Sequence, residues 1–273
     1  MKTIIACTDF SPTAFNAVQY AAAVAKVAGA RLVLYHAFTL PMHAGNSIVS
    51  ADSFQKLLNN KVIRLKENAK SLFETYDIDV VTECSYAYIE DKLAELIKQY
   101  NADMLVMGMA ERSLEQDIMG NTTTAAIRNI NIPILAVPVS VQFNNPKKIL
   151  FACDNPVEIS QTVVEHVKEA AHHLNAELEI FSVDEKVSKL KSENSEALTI
   201  NAVDNNFQGI NYYYKNVRSN AVISEIKSEI EKYGADILIM TPHQYGFWAS
   251  VVHRSKTRLM ASGLNIPLLS VPA

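Results

Sequence analysis

Apolar residues follow two rhythms along the first 140 positions. The segments Ile4 to Thr8, Arg31 to His36, Asp79 to Ser85, Met104 to Met107 and Ile134 to Val137 read as strands, most of them continuously apolar and so buried on both faces. Between them the apolar spacing turns helical. Ser11-Pro12 offers an N-cap and a proline at the first helical position ahead of a helix over Ala14 to Ala28. After a loop holding Pro41 and Gly45, Phe54, Leu57, Leu58, Val62, Leu65, Ala69, Leu72 and Phe73 form the apolar face of a long amphipathic helix over Ala51 to Tyr76. Ile89 to Gln99 and Thr122 to Arg128 complete the helices. Strand and helix in alternation specify a parallel sheet covered on both faces, and right-handed crossovers make it doubly wound. Ligands in such sheets sit beyond the carboxyl ends of the strands. That edge carries Asp9, Ala37, Gly108 and the loop after Gly108.

The chain then repeats itself. Lys2-Thr3-Ile4-Ile5-Ala6-Cys7-Thr8-Asp9 returns as Lys148 to Asp154, Asn101-Ala102-Asp103-Met104-Leu105-Val106-Met107-Gly108 as Gly234 to Thr241, and Ile132 to Pro138 as Ile266 to Pro272. The expected fold is therefore α/β, with two tandem doubly wound domains of five parallel strands each, over 1–140 and 147–273. The linker Val139 to Pro146 is too brief for the domains to move independently. The second copy has a more polar middle, with a weak helix in Glu185 to Asn206, a strand at Tyr212-Tyr213-Tyr214 and a helix over Ala221 to Tyr233. Ile134 to Val137 and Leu268 to Val271 would be apolar edge strands, and such edges need a partner, so the copies are expected to pair within one chain.

Composition narrows the function classes. The 273 residues are 49% hydrophobic and 20% charged with a net charge of −4, which describes a folded globular chain and gives no basic surface for nucleic acid. No apolar run reaches the roughly 18 residues needed to span a bilayer, and no signal peptide opens the chain, so the expected location is the cytoplasm. Cys7, Cys84 and Cys153 lack the spacing of a disulfide framework or a zinc site. The seven histidines, His36, His172, His173, His243 and His253 among them, show no ligand spacing and read as capping or core residues.

The candidate chemistry lies between Gly108, which ends a strand, and Gly120-Asn121-Thr122-Thr123, which opens a helix. Glycine lets backbone amides approach anionic oxygens, and a helix N-terminus adds free N–H groups and partial positive charge. The same residues also occur as ordinary punctuation, and neither a Walker motif nor GxGxxG is present. Asp9 likewise has two readings, ligand contact or acceptance of local backbone amides before the first helix. In the second copy the corresponding loop, Thr241-Pro242-His243-Gln244-Tyr245-Gly246-Phe247-Trp248, loses an amide donor at proline and gains bulk. Tyr245, Phe247 and Trp248 would fill the groove or present a contact surface.

Four segments in order, Thr8-Asp9-Phe10-Ser11, Leu34-Tyr35-His36-Ala37, Ala102 to Gly108 and Ile132 to Val137, resemble the universal stress protein family, as two tandem domains over essentially the whole chain. The resemblance implies a Rossmann-like domain of the adenine nucleotide alpha hydrolase type. It implies ATP or AMP, with Mg, as the ligand, held by Asp9, Ala37, Gly108, Gly120, Asn121 and Thr122. The family's glycine pattern is incomplete here: Glu111 stands at the second glycine and the loop is one residue short. A carboxylate about 5 Å from a phosphate at an effective dielectric near 20 costs roughly 3 kcal/mol, so weak binding is expected. The implied function is a stress-response protein whose first domain binds or senses adenine nucleotide, with a degenerate second domain as its pairing partner and a signalling protein downstream. The alternatives are a scaffold without nucleotide and, at most, slow ATP hydrolysis; further association into a homodimer stays open.

Overall fold

The structure, a computed structural model, describes residues 1–39, 50–109, 121–153, 155–184, 193–242 and 265–273. The first half runs β1 (Thr3–Cys7), α1 (Pro12–Ala28), β2 (Arg31–Phe38), α2 (Ala51–Tyr76), β3 (Val80–Tyr86), α3 (Ile89–Tyr100), β4 (Met104–Met109), α4 (Asn121–Asn129) and β5 (Ile134–Pro138). The second runs β6 (Lys148–Cys153), α5 (Gln161–Leu174), β7 (Glu177–Asp184), α6 (Glu193–Asn206), β8 (Tyr212–Arg218), α7 (Val222–Tyr233), β9 (Ile237–Met240) and β10 (Leu268–Ser270). Local chemistry fixes the boundaries. Ser11 Oγ accepts the Ala14 amide at 3.2 Å with Pro12 at the first helical position, and Gly29 ends α1 in the left-handed region at φ 63°.

All ten strands share one sheet in the order β3-β2-β1-β4-β5-β10-β9-β6-β7-β8. Each half keeps its own strands parallel, and the halves meet at β5 and β10, which pair antiparallel with Leu135 opposite Leu269. The edge strands are thereby closed inside the chain. Two aspartates set the register of the halves. Asp103 Oδ2 accepts the amides of Lys2 and Thr3 at 2.6 and 2.8 Å, and Asp236 Oδ2 accepts those of Lys147 and Lys148 at 2.7 and 2.9 Å. The repeated Ala-Asp dipeptide is thus a clip that ties the central strand of each half to its neighbour. The linker is held as well, because Asn16 Nδ2 donates to the carbonyls of Pro138 and Val141 at 2.9 and 2.8 Å and Phe143 packs edge-on to Tyr20.

The strands are the core, with Ile4, Leu32, Val106, Ile149, Phe151 and Leu238 wholly buried. The apolar face expected of α2 needs one correction. Leu65, Ala69 and Leu72 are buried, but Phe73 is more than half exposed, since it stands a further 100° round the helix from Leu72 and past the stripe. The weak helix of the second half is α6, and the tyrosine run opens β8. No described helix is long and apolar enough to cross a membrane.

Candidate functional site

Beyond the carboxyl ends of β1, β2 and β4 lies a cleft of about 420 Å³, lined among others by Asp9, Ala37, Tyr88, Gly108, Thr122 and Thr123. The crossovers place it there: β1 delivers Asp9, β2 delivers Ala37, β4 delivers Gly108, and α4 returns across the mouth with its threonines. Thr13 and Ala14 of α1, Ile89 of α3 and Thr122 and Thr123 of α4 bring the first turns of three helices to the same cleft. Helix N-termini carry partial positive charge and amides without intrahelical acceptors, so the wall favours anionic groups. At α3 no side chain competes, because Tyr88 holds the N-cap position and makes no capping hydrogen bond. Sequence reasoning did not single out Tyr88, the most exposed large apolar residue among those described at 67%. Its only local signal is an aromatic where Ser, Thr, Asp or Asn is usual.

Two of the expected residues, Asp9 and Gly108, also have a local structural task. Asp9 is exposed, and its Oδ1 accepts the Ser11 amide at 2.8 Å, closing the turn into α1. A Cβ on Gly108 would stand 2.8 Å from Thr13 Cγ2 and 3.0 Å from the Thr13 carbonyl oxygen, so glycine there lets β4 pass close under the start of α1. The Gly108 carbonyl accepts the Thr123 hydroxyl at 3.1 Å, which fastens α4 to β4 and commits that hydroxyl. Thr122 and Ala37 remain half-buried on the cleft wall. Asn121 begins α4. Gly120 and Glu111, Asp154 of the second half, and Tyr245, Phe247 and Trp248 lie outside the described residues.

The turn that presents Asp9 is strained. Phe10 adopts φ 66°, a left-handed conformation that costs a bulky residue about 1 to 3 kcal/mol. Its ring is held by contacts that offset this: His36 lies 4.3 Å away between centroids, and Arg64 and Lys61 of α2 approach at 4.2 and 5.6 Å. His36 is 3% exposed; its Nδ1 donates to the Thr8 carbonyl at 2.7 Å, and Nε2 is buried without a partner. Burial lowers its pKa, as do Lys61 and Arg64, against the Thr8 hydrogen bond and Asp9, which favour the charged form. The neutral ring therefore anchors the end of β1 one residue before Asp9. This is a core histidine that aims the turn. Burial also pushes the Cys7 thiol up to about 12, which keeps it a thiol beneath the cleft.

In the second half Pro242 follows β9 where Met109 ends β4, and no amide donor is available at that position. Among the described residues no group of three His, Cys, Asp or Glu side chains is placed to hold a metal.

Comparison with solved structures gives the fold. A universal stress protein from Archaeoglobus fulgidus DSM 4304 aligns over 99% of this chain and 98% of its own at a TM-score of 0.73 with 16% identity. A functionally unknown protein from Pseudomonas aeruginosa PAO1 aligns over 100% and 92% at a TM-score of 0.60 with 14% identity. At such identities the likeness is one of architecture alone, two halves included. No curated protein matches the sequence. Residues 1–138 match the description of one family from β1 to the end of β5, the span that builds the cleft, and the chain belongs to the universal stress protein family.

Proposed function

We propose that the cleft binds an adenine nucleotide, ATP or AMP, and that residues 1–140 act as a nucleotide-responsive stress domain with 147–273 as its non-binding partner. The observation that carries this reading is convergence: Asp9, Ala37, Gly108 and Thr122, from β1, β2, β4 and α4, meet in one cleft faced by three helix N-termini. Asp9 would accept from the nucleoside hydroxyls with the oxygen it does not spend on Ser11, and the α4 end would take the phosphates. A Mg²⁺ ion, where bound, would offset phosphate charge. Glu111 stands at the second glycine of the family pattern, where a carboxylate would work against affinity and suit the site to a sensor of abundant nucleotide.

Calorimetric titration of the nucleotide-stripped protein with Mg-ATP tests this, with one site per chain expected. Thr122→Asp makes the assignment specific. A carboxylate in the first turn is good for α4, but it repels phosphate by roughly 3 kcal/mol, about two decades of affinity. Unchanged affinity in a folded Thr122→Asp protein refutes the site. No heat at millimolar ligand selects the scaffold reading, which is favoured by the structural tasks already held by Asp9, Gly108 and Thr123.

A further inference from the structure

The underside of the second half is built from different chemistry than that of the first. The strand registers set Thr3, Arg31, Val33 and Glu83 at the positions of Lys148, Glu177, Glu179 and Lys215. The tyrosines that end α3 and α7, each followed two residues later by Ala-Asp, set Leu96 at the position of Glu229. In the first half Val33 and Leu96 are an apolar pair, 0% and 1% exposed. Their counterparts Glu179 and Glu229 are carboxylic acids buried almost as deeply, at 8% and 4%.

The two acids are in mutual contact. Glu179 lies within hydrogen-bonding reach of Glu229, whose Oε1 accepts from Lys215 Nζ at 2.6 Å. Glu179 Oε1 is buried without a partner, as is the hydroxyl of Tyr233. Two carboxylates only accept, so a hydrogen bond between them needs a proton on one. Stability does not account for this arrangement, because apolar replacement of a buried ionic cluster is often neutral or favourable, and the first half shows that the fold accepts it.

We propose that Glu179 and Glu229 are a proton-binding site: one shared proton seats α7 on the second half of the sheet, and its release on alkalinisation loosens α7. The groups around it are Lys148 from β6, Glu177 from β7, Tyr213 and Lys215 from β8, Glu229 and Tyr233 from α7, and Asp236 before β9. Lys148 is partly committed, donating to the Tyr233 carbonyl at 3.0 Å. Burial, then the Glu229 carboxylate, push Glu179 up from an ordinary 4.5 to about 7, with Lys215 and Lys148 pulling the other way. For an acid whose folded pKa is raised, the stabilisation is complete below 4.5 and is lost as pH rises through about 7.

The test is a carbon-13 NMR titration of the full chain labelled at the glutamate carboxyl carbons, with Glu179→Gln as the assignment. One resonance with a midpoint at about pH 6 to 8, absent from Glu179→Gln, is expected; all midpoints below about 5.5 overturn the proposal. The second arm compares urea unfolding at about pH 5.5 and 8 for the natural chain and for the double variant Glu179→Val, Glu229→Leu, which carries the first half's residues. The natural unfolding equilibrium is expected to shift towards the unfolded state by about 30-fold more than that of the variant. Equal shifts overturn the proposal. The titration uses the unaltered chain, so a variant that fails to fold leaves the test intact.

Discussion

The two halves agree where the backbone needs an acceptor and differ where a side chain only has to fill space. Asp103 and Asp236 make the same pair of bonds to the start of the adjacent strand. A second feature survives by a different route. In the first half Arg31 of β2 reaches the Tyr100 carbonyl and lies over its ring, while in the second Lys148 of β6 does both for Tyr233. The helix end keeps its cation, although the residue that supplies it has moved to the neighbouring strand. Beneath the helices Ala102, Leu105 and Met107 return as Ala235, Leu238 and Met240, but Val33 with Leu96 answers to Glu179 with Glu229. Duplication therefore separates the residues that fix the sheet from those free to acquire a role.

The strongest way to break that comparison is to place the second half's chemistry in the first without its partners. Leu96→Glu buries a carboxylate where no lysine stands in place of Lys215, because Glu83 occupies that position and accepts the Tyr100 hydroxyl. A loss of about 4 kcal/mol is expected by urea denaturation, comparable to leaving a buried charge uncompensated. A loss below about 1 kcal/mol would mean that the underside of the first half tolerates charge and that the contrast is incidental. Next in size are the clips. Asp103→Ala and Asp236→Ala each strand two amides bonded to a carboxylate, and each is expected to cost about 2 kcal/mol. Equal losses in the two variants would confirm a shared device; a loss confined to one would assign the repeat to only one half.

The legibility of the molecule follows the same division. Strands buried on both faces, the Ser11-Pro12 start of α1 and the pairing of the last strands stood in the sequence, because each rests on a local or periodic signal. Asp9, Ala37, Gly108 and Thr122 were legible as one edge, because the parallel topology brings the carboxyl ends of β1, β2 and β4 together. The bond from the Ser11 amide to Asp9 was legible too, because it spans two residues, whereas the packing task of Gly108 was not. That Gly108 answers to Thr13, a residue 95 positions earlier, depends on the distance between two elements and leaves no local trace. Tyr88 was missed because an aromatic before a helix resembles a poor cap, and the Glu179 and Glu229 pair because strand and helix registers must be known before the acids meet.

Gly108 separates packing from binding. Gly108→Ala forces its Cβ against Thr13, including a backbone oxygen that has little room to yield, and a loss of about 1 to 2 kcal/mol is expected. If the glycine serves packing alone, Mg-ATP affinity in the folded variant stays within about twofold; a tenfold fall, about 1.4 kcal/mol, would show that the β4 backbone itself approaches the ligand.

The smallest effect distinguishes the halves by sign. His36 has a depressed pKa, so the folded chain holds it neutral while the unfolded chain takes up a proton near 6.5. The stability it contributes is present above 6.5 and is lost as pH falls below that value towards the folded pKa, by at most tenfold per pH unit in the unfolding equilibrium. Glu179 acts in the opposite direction, losing its contribution as pH rises towards about 7. The first half should thus soften on acidification and the second on alkalinisation. His36→Gln, whose amide can still donate to the Thr8 carbonyl, removes the first response and leaves the second. Urea midpoints of this variant between about pH 5.5 and 7 should fall less on acidification than those of the natural chain. Parallel curves would mean that His36 titrates alike in the folded and unfolded chains, and that the ring anchors Asp9 through packing alone.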